Sequence, residues 1–405
     1  SLYPTRVEKL GESLMKILIT GANGFVGKNL KVTLEAAGHG VLAQTRDTEE
    51  ETFMTYCRDA DFIYHLAGVN RPKEEREFFE GNVGLTQHLL DVLTQVDNSA
   101  PIVYSSSVQA ELDNPYGQSK RQAEQLLLNE VTRTGRQVMI YQLPNLFGKW
   151  SRPDYNSVVA TFCDRVVKGE PVEIHDPNRT VTLAYIDDVV EAFVNVLEHP
   201  VKSGYQMVDT HDPVSLERLA NLLYTFRDSR KNLAVPALDD RFTKQLYSTY
   251  LSYLPVDAFG YDLRKHEDHR GSFTEFLRTP DRGQVSVNVT KPGITKGNHW
   301  HHTKNEKFLV VSGEANIHFR KVGEEVVHSY YVTGEMMRVI DIPVGYTHSI
   351  ENVGMVDLVT VMWVNEAFDP NRPDTYFMEV QDETAQSDDH RRDETRDHSS
   401  VGRPS

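Results

Sequence analysis

Cysteine is nearly absent from this chain of 405 residues: Cys57 and Cys163 are its only two, and they form no Cys-x-x-Cys pair. That excludes a disulfide framework and fits a reducing compartment, so a cytoplasmic location is expected. Long apolar runs are missing too, and no stretch reaches the length of a membrane span. The opening residues carry Glu8, Lys9 and Glu12 and lack the apolar centre of a secretory signal. Positive charge is in deficit. A formal net charge of -16 argues against broad attraction to nucleic acid or to an anionic membrane, although a local basic site for phosphate stays open.

What is present describes a globular protein, with 39% hydrophobic and 25% charged residues. The length predicts two domains, placed at 15–260 and 261–380. Residues 1–14 and 381–405 read as flexible ends, and Met15, just before the first apolar run, reads as a natural start. In the first half, Lys16–Thr20, Gly40–Thr45, Phe62–Ala67, Ile102–Ser105 and Met139–Gln142 are buried-strand patterns. Helical patterns such as Gly24–Ala37 and Tyr116–Arg133 lie between them. This alternation predicts an α/β Rossmann-type doubly wound parallel sheet. From Gly271 on, β-formers and Gly or Pro turns dominate, which predicts an all-β barrel. The segment Leu233–Tyr261, with its prolines and aromatics, is expected to dock the two halves.

Gly21, Gly24 and Gly27 fall between the first strand and the first helix. Glycines there let a pyrophosphate approach the unpaired amides of a helix N-terminus, with Phe25 and Val26 among the contacts. After the second strand, Arg46 favours the 2′-phosphate of NADPH, whereas Asp47 would favour NADH. Tyr116 and Lys120 stand four apart on a helix, after a strand that ends in Ser105-Ser106-Ser107. An ammonium beside a phenol lowers its pKa and readies it for proton exchange with a carbonyl or alcohol.

These residues, together with the backbone of Leu66, Ala67 and Gly68, resemble the extended short-chain dehydrogenases. The resemblance implies Ser107 (Ser106 less so), Tyr116 and Lys120 as catalytic residues and Asn145 as a sugar-nucleotide contact. Two departures stand out. Val108 and Gln109 occupy the places of the acid pair that dehydrating members use, so dehydration is not expected. Val181 stands where members often have an arginine for the pyrophosphate, with only Arg179 near.

The second half carries Gly293, His299, His301, Glu306 and Gly313 at the fixed places of G-x5-H-x-H-x4-E-x6-G. Pro343, Gly345, His348 and Asn352 come next, in the register of a second motif whose leading glycine is replaced by Met337. This resembles the cupins, and it predicts His299, His301, Glu306 and His348 as ligands of Zn²⁺, Fe²⁺, Mn²⁺ or Ni²⁺. His302 extends the cluster, so which of the three neighbouring histidines bind stays open. Lys296, His302, Lys304, Lys307 and Tyr346 are the ionisable residues nearest in sequence, and none is preferred as a base.

The pairing itself, through Phe62–Pro72, Pro144–Trp150, Arg270–Glu275 and Lys291–His302, resembles bifunctional enzymes of capsular polysaccharide synthesis. That resemblance implies NADPH, zinc and a UDP-linked 4-keto-6-deoxy-N-acetylhexosamine, with C3 epimerisation in the barrel and C4 reduction in the sheet domain. It also implies self-association through the barrel. The other reading is an NAD-dependent nucleotide-sugar 4-epimerase with a non-catalytic metal-binding cupin.

Overall fold

The computed structural model describes residues 13–199 and 201–381; most of the two ends that read as flexible, 1–12 and 382–405, lies outside the described residues. Two compact units emerge. One runs through Arg227 and takes back Leu238–Val256; the other holds Asp228–Ala237 and the chain from Asp257 onward. The chain therefore crosses between the units three times rather than once after residue 260. One cause is local: Val235 N donates to Arg278 O at 2.7 Å and Arg278 N to Leu233 O at 2.8 Å, stitching 233–235 to a strand of the second unit.

In the first unit, strands β1 (Lys16–Thr20), β2 (Gly40–Gln44), β3 (Phe62–His65), β4 (Ile102–Ser107) and β5 (Val138–Leu143) form a parallel sheet in the order β2-β1-β3-β4-β5. A short strand, Gly204–Gln206, extends it beside β5. Ile17, Leu18, Ile19, Ile63, Ile102, Val103 and Ile140 are fully buried, as expected for strands covered on both faces. Strand order reverses at β1, whose neighbours are β2 and β3, and ligands bind at such switch points beyond the carboxyl ends of the strands.

The second unit stacks two antiparallel sheets. One is ordered Lys265–Asp268, Gly271–Thr279, Gly283–Thr290, Leu358–Val364, Glu306–Ser312, Val339–Ile342. The other is ordered Val327–Thr333, Glu314–Lys321, Tyr346–Asn352, Thr295–Trp300, Tyr376–Phe377. Phe308, Val310, Ile317, Phe319, Ile340 and Ile350 form the apolar part of its core. Along Gly283–Thr290 the buried face is polar: Gln284, Ser286, Asn288 and Thr290 are buried while the intervening valines are only half-buried. Among the described residues no helix is long and apolar enough to cross a membrane.

Candidate active and metal sites

Helix α1 (Phe25–Ala36) begins at Gly24, which has no side-chain cap, and Lys28 N makes the first intrahelical bond to Gly24 O at 2.9 Å. The amides of Phe25, Val26 and Gly27 precede that bond and are the free donors of the helix N-terminus. Gly21, at φ +67, passes so close to the chain just after β3 that an added β-carbon would lie 2.8 Å from Ala67 N. The turn is pinned on the other side by Gln44 Oε1, which accepts from Gly21 N at 3.1 Å.

Sequence reading misses how this loop is anchored. Thr20 Oγ1 accepts from Leu66 N and Ala67 N at 3.0 and 3.1 Å and lies 2.7 Å from His65 Nδ1. With both lone pairs engaged, the hydroxyl donates to Nδ1, so His65 carries its proton on Nε2 and donates to Thr86 Oγ1 at 2.9 Å. Thr86 passes its own proton to Asn82 O at 2.7 Å. Burial, followed by the Lys120 charge, pushes His65 down to about 3, which agrees with a neutral ring.

Tyr116 and Lys120 lie in the helix Pro115–Thr134, set by Asn114, whose Oδ1 caps Gly117 N at 2.7 Å, and ended by Gly135 at φ 75. Lys120 is buried, and its Nζ donates to Ser105 O at 3.2 Å and lies 6.0 Å from the centre of the Tyr116 ring. Burial lowers it to about 8, with Glu124 pulling the other way. Burial also raises Tyr116 above the usual phenol range, and a hydrogen bond with Ser107 partly offsets this. Of the three serines, Ser107 Oγ accepts from Gln109 N at 3.1 Å, while Ser106 is buried with an unpaired Oγ.

Gly68 completes the wall: a β-carbon there would lie 2.8 Å from Asn82 Oδ1 and 3.3 Å from Lys120 Nζ. Asn82, on a π-helical turn at Phe79–Gly84, joins Val69 N (3.1 Å) to Ser119 Oγ (2.9 Å). The Tyr116 hydroxyl donates to Asn70 Oδ1 at 3.1 Å. Arg46 is exposed in the turn after β2, and Asn145 is exposed at the start of the strand Asn145–Phe147. Arg179 is exposed as well, and Val181 pairs with Val214.

In the barrel, His299, His301, Glu306 and His348 bring one ligand atom each to within 4.8 Å of one another. His302 is not among them; it is exposed and packs edge-on against Trp300 and Tyr376. His348 Nδ1 faces Tyr346 O at 3.3 Å, so it bears the proton and leaves Nε2 as a lone pair. That Nε2 is buried without any hydrogen-bond partner, which suits a metal ligand. His301 Nδ1 likewise faces Asp374 O at 2.7 Å, and its Nε2 meets Glu306 Oε1 at 2.8 Å. Burial pulls His301 down, but Glu306 and the Asp374 carbonyl outweigh it and the net shift is upward. Burial would raise Glu306, yet the surrounding histidines lower it overall. His299 falls to about 4 through burial and its two histidine neighbours. A buried carboxylate among three imidazoles is a donor set for a divalent transition metal.

The remaining ionisable residues are placed differently. Lys307 pairs with exposed Asp341 at 2.7 Å, and Lys304 Nζ donates to Pro373 O at 2.6 Å. Lys296 Nζ donates to Asn288 Oδ1 at 2.9 Å and Val289 O at 2.7 Å, reaching the polar buried face of the opposite sheet. Tyr346 is half-buried at the start of its strand.

Fold and sites together are those of an extended short-chain dehydrogenase joined to a cupin barrel. Residues 17–208 match the NAD dependent epimerase/dehydratase family, and residues 266–376 match the polysaccharide biosynthesis C-terminal domain. The chain is 45% identical to a UDP-2-acetamido-2,6-β-L-arabino-hexul-4-ose reductase of Pseudomonas aeruginosa, over 90% of this chain and 99% of the relative. It is 54% identical to the capsular polysaccharide assembling protein CapF of Staphylococcus aureus, with a TM-score of 0.85 over 90% of this chain and 100% of that one. A structure of CapF with the inhibitor 3-isopropenyl-tropolone matches at 49% identity and a TM-score of 0.80, over 90% of this chain and 100% of that chain. The chain belongs to the family of CapF and the Pseudomonas reductase.

Proposed function

We propose that this chain is a bifunctional enzyme on a UDP-2-acetamido-2,6-dideoxy-hexos-4-ulose, a C3-epimerase in the barrel and an NADPH-dependent C4-ketoreductase in the sheet domain. The product is UDP-2-acetamido-2,6-dideoxy-L-talose, a precursor of UDP-N-acetyl-L-fucosamine for capsular polysaccharide. The reductase half rests on one observation above all: Tyr116 and Lys120 stand on one helix, with Lys120 Nζ 6.0 Å from the Tyr116 ring centre and 3.3 Å from where a β-carbon on Gly68 would lie. The name of the Pseudomonas relative, a hexul-4-ose reductase, agrees with it.

In this reading NADPH, when bound, supplies the hydride. The α1 amides and Gly21 receive its pyrophosphate, and Arg46 takes the 2′-phosphate. Ser107 holds the C4 carbonyl oxygen, and Tyr116 protonates that oxygen. Lys120 is the cation beside this proton donor, and Asn145 contacts the sugar nucleotide. No acid comes directly after Ser107, since Val108 and Gln109 stand there, which favours reduction over dehydration.

In the barrel, His299, His301, Glu306 and His348 would hold the metal, with zinc our assignment. Such an ion polarises a ketone and acidifies the neighbouring C–H. The buried polar face of Gln284, Ser286 and Asn288 offers hydrogen-bonding partners for a sugar. Self-association through the barrel belongs to the same proposal.

The test is turnover of a UDP-linked 4-keto-6-deoxy-N-acetylhexosamine with NADPH. Stoichiometric loss of NADPH absorbance is expected; turnover without net NADPH loss would favour a 4-epimerase instead.

A further inference from the structure

The segment after the strand Leu358–Val364 returns to the His/Glu cluster and lies against it. Tyr376 and Phe377 pair with Trp300 and His299, so the return strand lies directly against the histidine strand. It is tied down further along, where Met378 N donates to Asn298 O at 2.9 Å and Val380 N to Asn298 Oδ1 at 3.2 Å. Thr347 Oγ1 donates to Met378 O, and Arg320 Nε donates to Val380 O at 2.9 Å.

Asp374 sits at the head of this segment and makes two kinds of contact. Its main-chain oxygen accepts from His301 Nδ1 at 2.7 Å. Its carboxylate accepts from the amides of His302, Thr303 and Lys304 at 3.0, 2.9 and 3.1 Å, and Thr303 Oγ1 lies 2.9 Å away. The residue adopts φ 45, a conformation that Asp and Asn tolerate better than most side chains. One residue thus grips the turn after His301 with its side chain and the His301 ring with its backbone.

We propose that Asp374 is the positioning residue of the barrel's metal centre. Its carbonyl fixes the His301 proton on Nδ1, which aims Nε2 at the ion, and its carboxylate holds the turn that keeps the ring in place. Partners of this kind beyond the ligands set the tautomer and orientation of metal-bound histidines. The inference rests on the metal reading of the barrel given above.

The test uses the full chain, stripped of metal and titrated with Zn²⁺ against a chromophoric chelator. Asp374→Ala is expected to weaken zinc binding by roughly ten- to a hundredfold, the range usual for such partners. Asp374→Asn, which keeps one acceptor oxygen, is expected to weaken it less. Thermal unfolding of the metal-free forms separates this from loss of fold, since positioning alone moves affinity more than metal-free stability. Imidazole ¹⁵N shifts of the zinc-loaded wild type are expected to show His301 protonated at Nδ1, a readout that needs no variant. Wild-type affinity in a folded Asp374 variant, or the opposite His301 tautomer, would overturn the inference. If the wild type takes up no zinc, the metal reading fails and this inference falls with it; zinc held equally by wild type and variants sinks the inference alone.

Discussion

His299 and His348 face each other as direct partners across two antiparallel strands because Asn298 is an extra residue in its strand. Gly297 pairs with Ser349 and His299 with His348, so Asn298 has no register partner on the facing strand Tyr346–Asn352. Without this bulge Asn298 would oppose His348, and His299 would turn to the other face. Gly297, at φ 103, and Asn298, at φ 56, supply the backbone that the bulge requires.

Asn298→Val should therefore damage the centre. A β-branched residue in the left-handed region costs about 1–2 kcal/mol, and the Val380 contact is lost with it. We expect a lower melting temperature and weaker zinc uptake, whereas Asn298→Gly keeps zinc uptake. Calorimetry and zinc titration check both; equal zinc affinity in the valine variant would contradict the bulge argument.

Tyr116→Phe removes the proposed proton donor while leaving the ring packed near Phe78. Reductase kcat should fall by roughly 10²–10⁴-fold, the usual worth of a general acid. Zinc binding should be unchanged. Stopped-flow NADPH oxidation measures the first and chelator competition the second.

Arg46→Ala tests the cofactor assignment. Loss of a charge-assisted contact worth about 1.5–3 kcal/mol should raise KM for NADPH roughly ten- to a hundredfold and leave KM for NADH nearly unchanged. Parallel changes in both constants would remove Arg46 from the phosphate site.

Lys120 gives a pH signature. Its amine is lowered to about 8 by burial, against about 10.4 in an unfolded chain. Between those values the unfolded chain holds more protons, so stability rises with pH; below about 8 both states are charged and the burial cost stands in full. Lys120→Met has no such dependence. The melting-temperature advantage of the methionine variant over wild type should be largest near pH 7 and shrink toward pH 10. A constant difference would mean that burial does not lower the Lys120 pKa.

Much of the fold and of both sites is legible in the sequence, for reasons specific to each element. Parallel strands buried on both faces are written as continuous apolar runs, so Ile17–Ile19 and Ile102–Val103 stand out without context. The edge strand Gly204–Gln206 does not, because it is three residues long with Tyr205 exposed. The His/Glu cluster of the barrel is readable because its spacing follows strand geometry, and the structure gathers the four expected side chains and leaves His302 out. Asp374 and Asn70 carry no such signal, since each acts through a fold-dependent contact, with His301 and Tyr116 respectively. Asn82 leaves a faint trace, a polar residue between Gly81 and Gly84 in an otherwise helical pattern. The Val-rich run Gln284–Thr290 reads as a strand and is one, but its buried face is the polar one.

The most direct test of the two-site account is the NMR spectrum of the product made from the UDP-linked 4-keto-6-deoxy-N-acetylhexosamine with NADPH in D₂O. Wild-type protein should give a C4-reduced sugar of inverted C3 configuration carrying deuterium at C3, and His348→Ala should give a C4-reduced sugar of uninverted configuration with hydrogen there. A wild-type product with no deuterium at C3, or an inverted and labelled product from His348→Ala, would contradict the account.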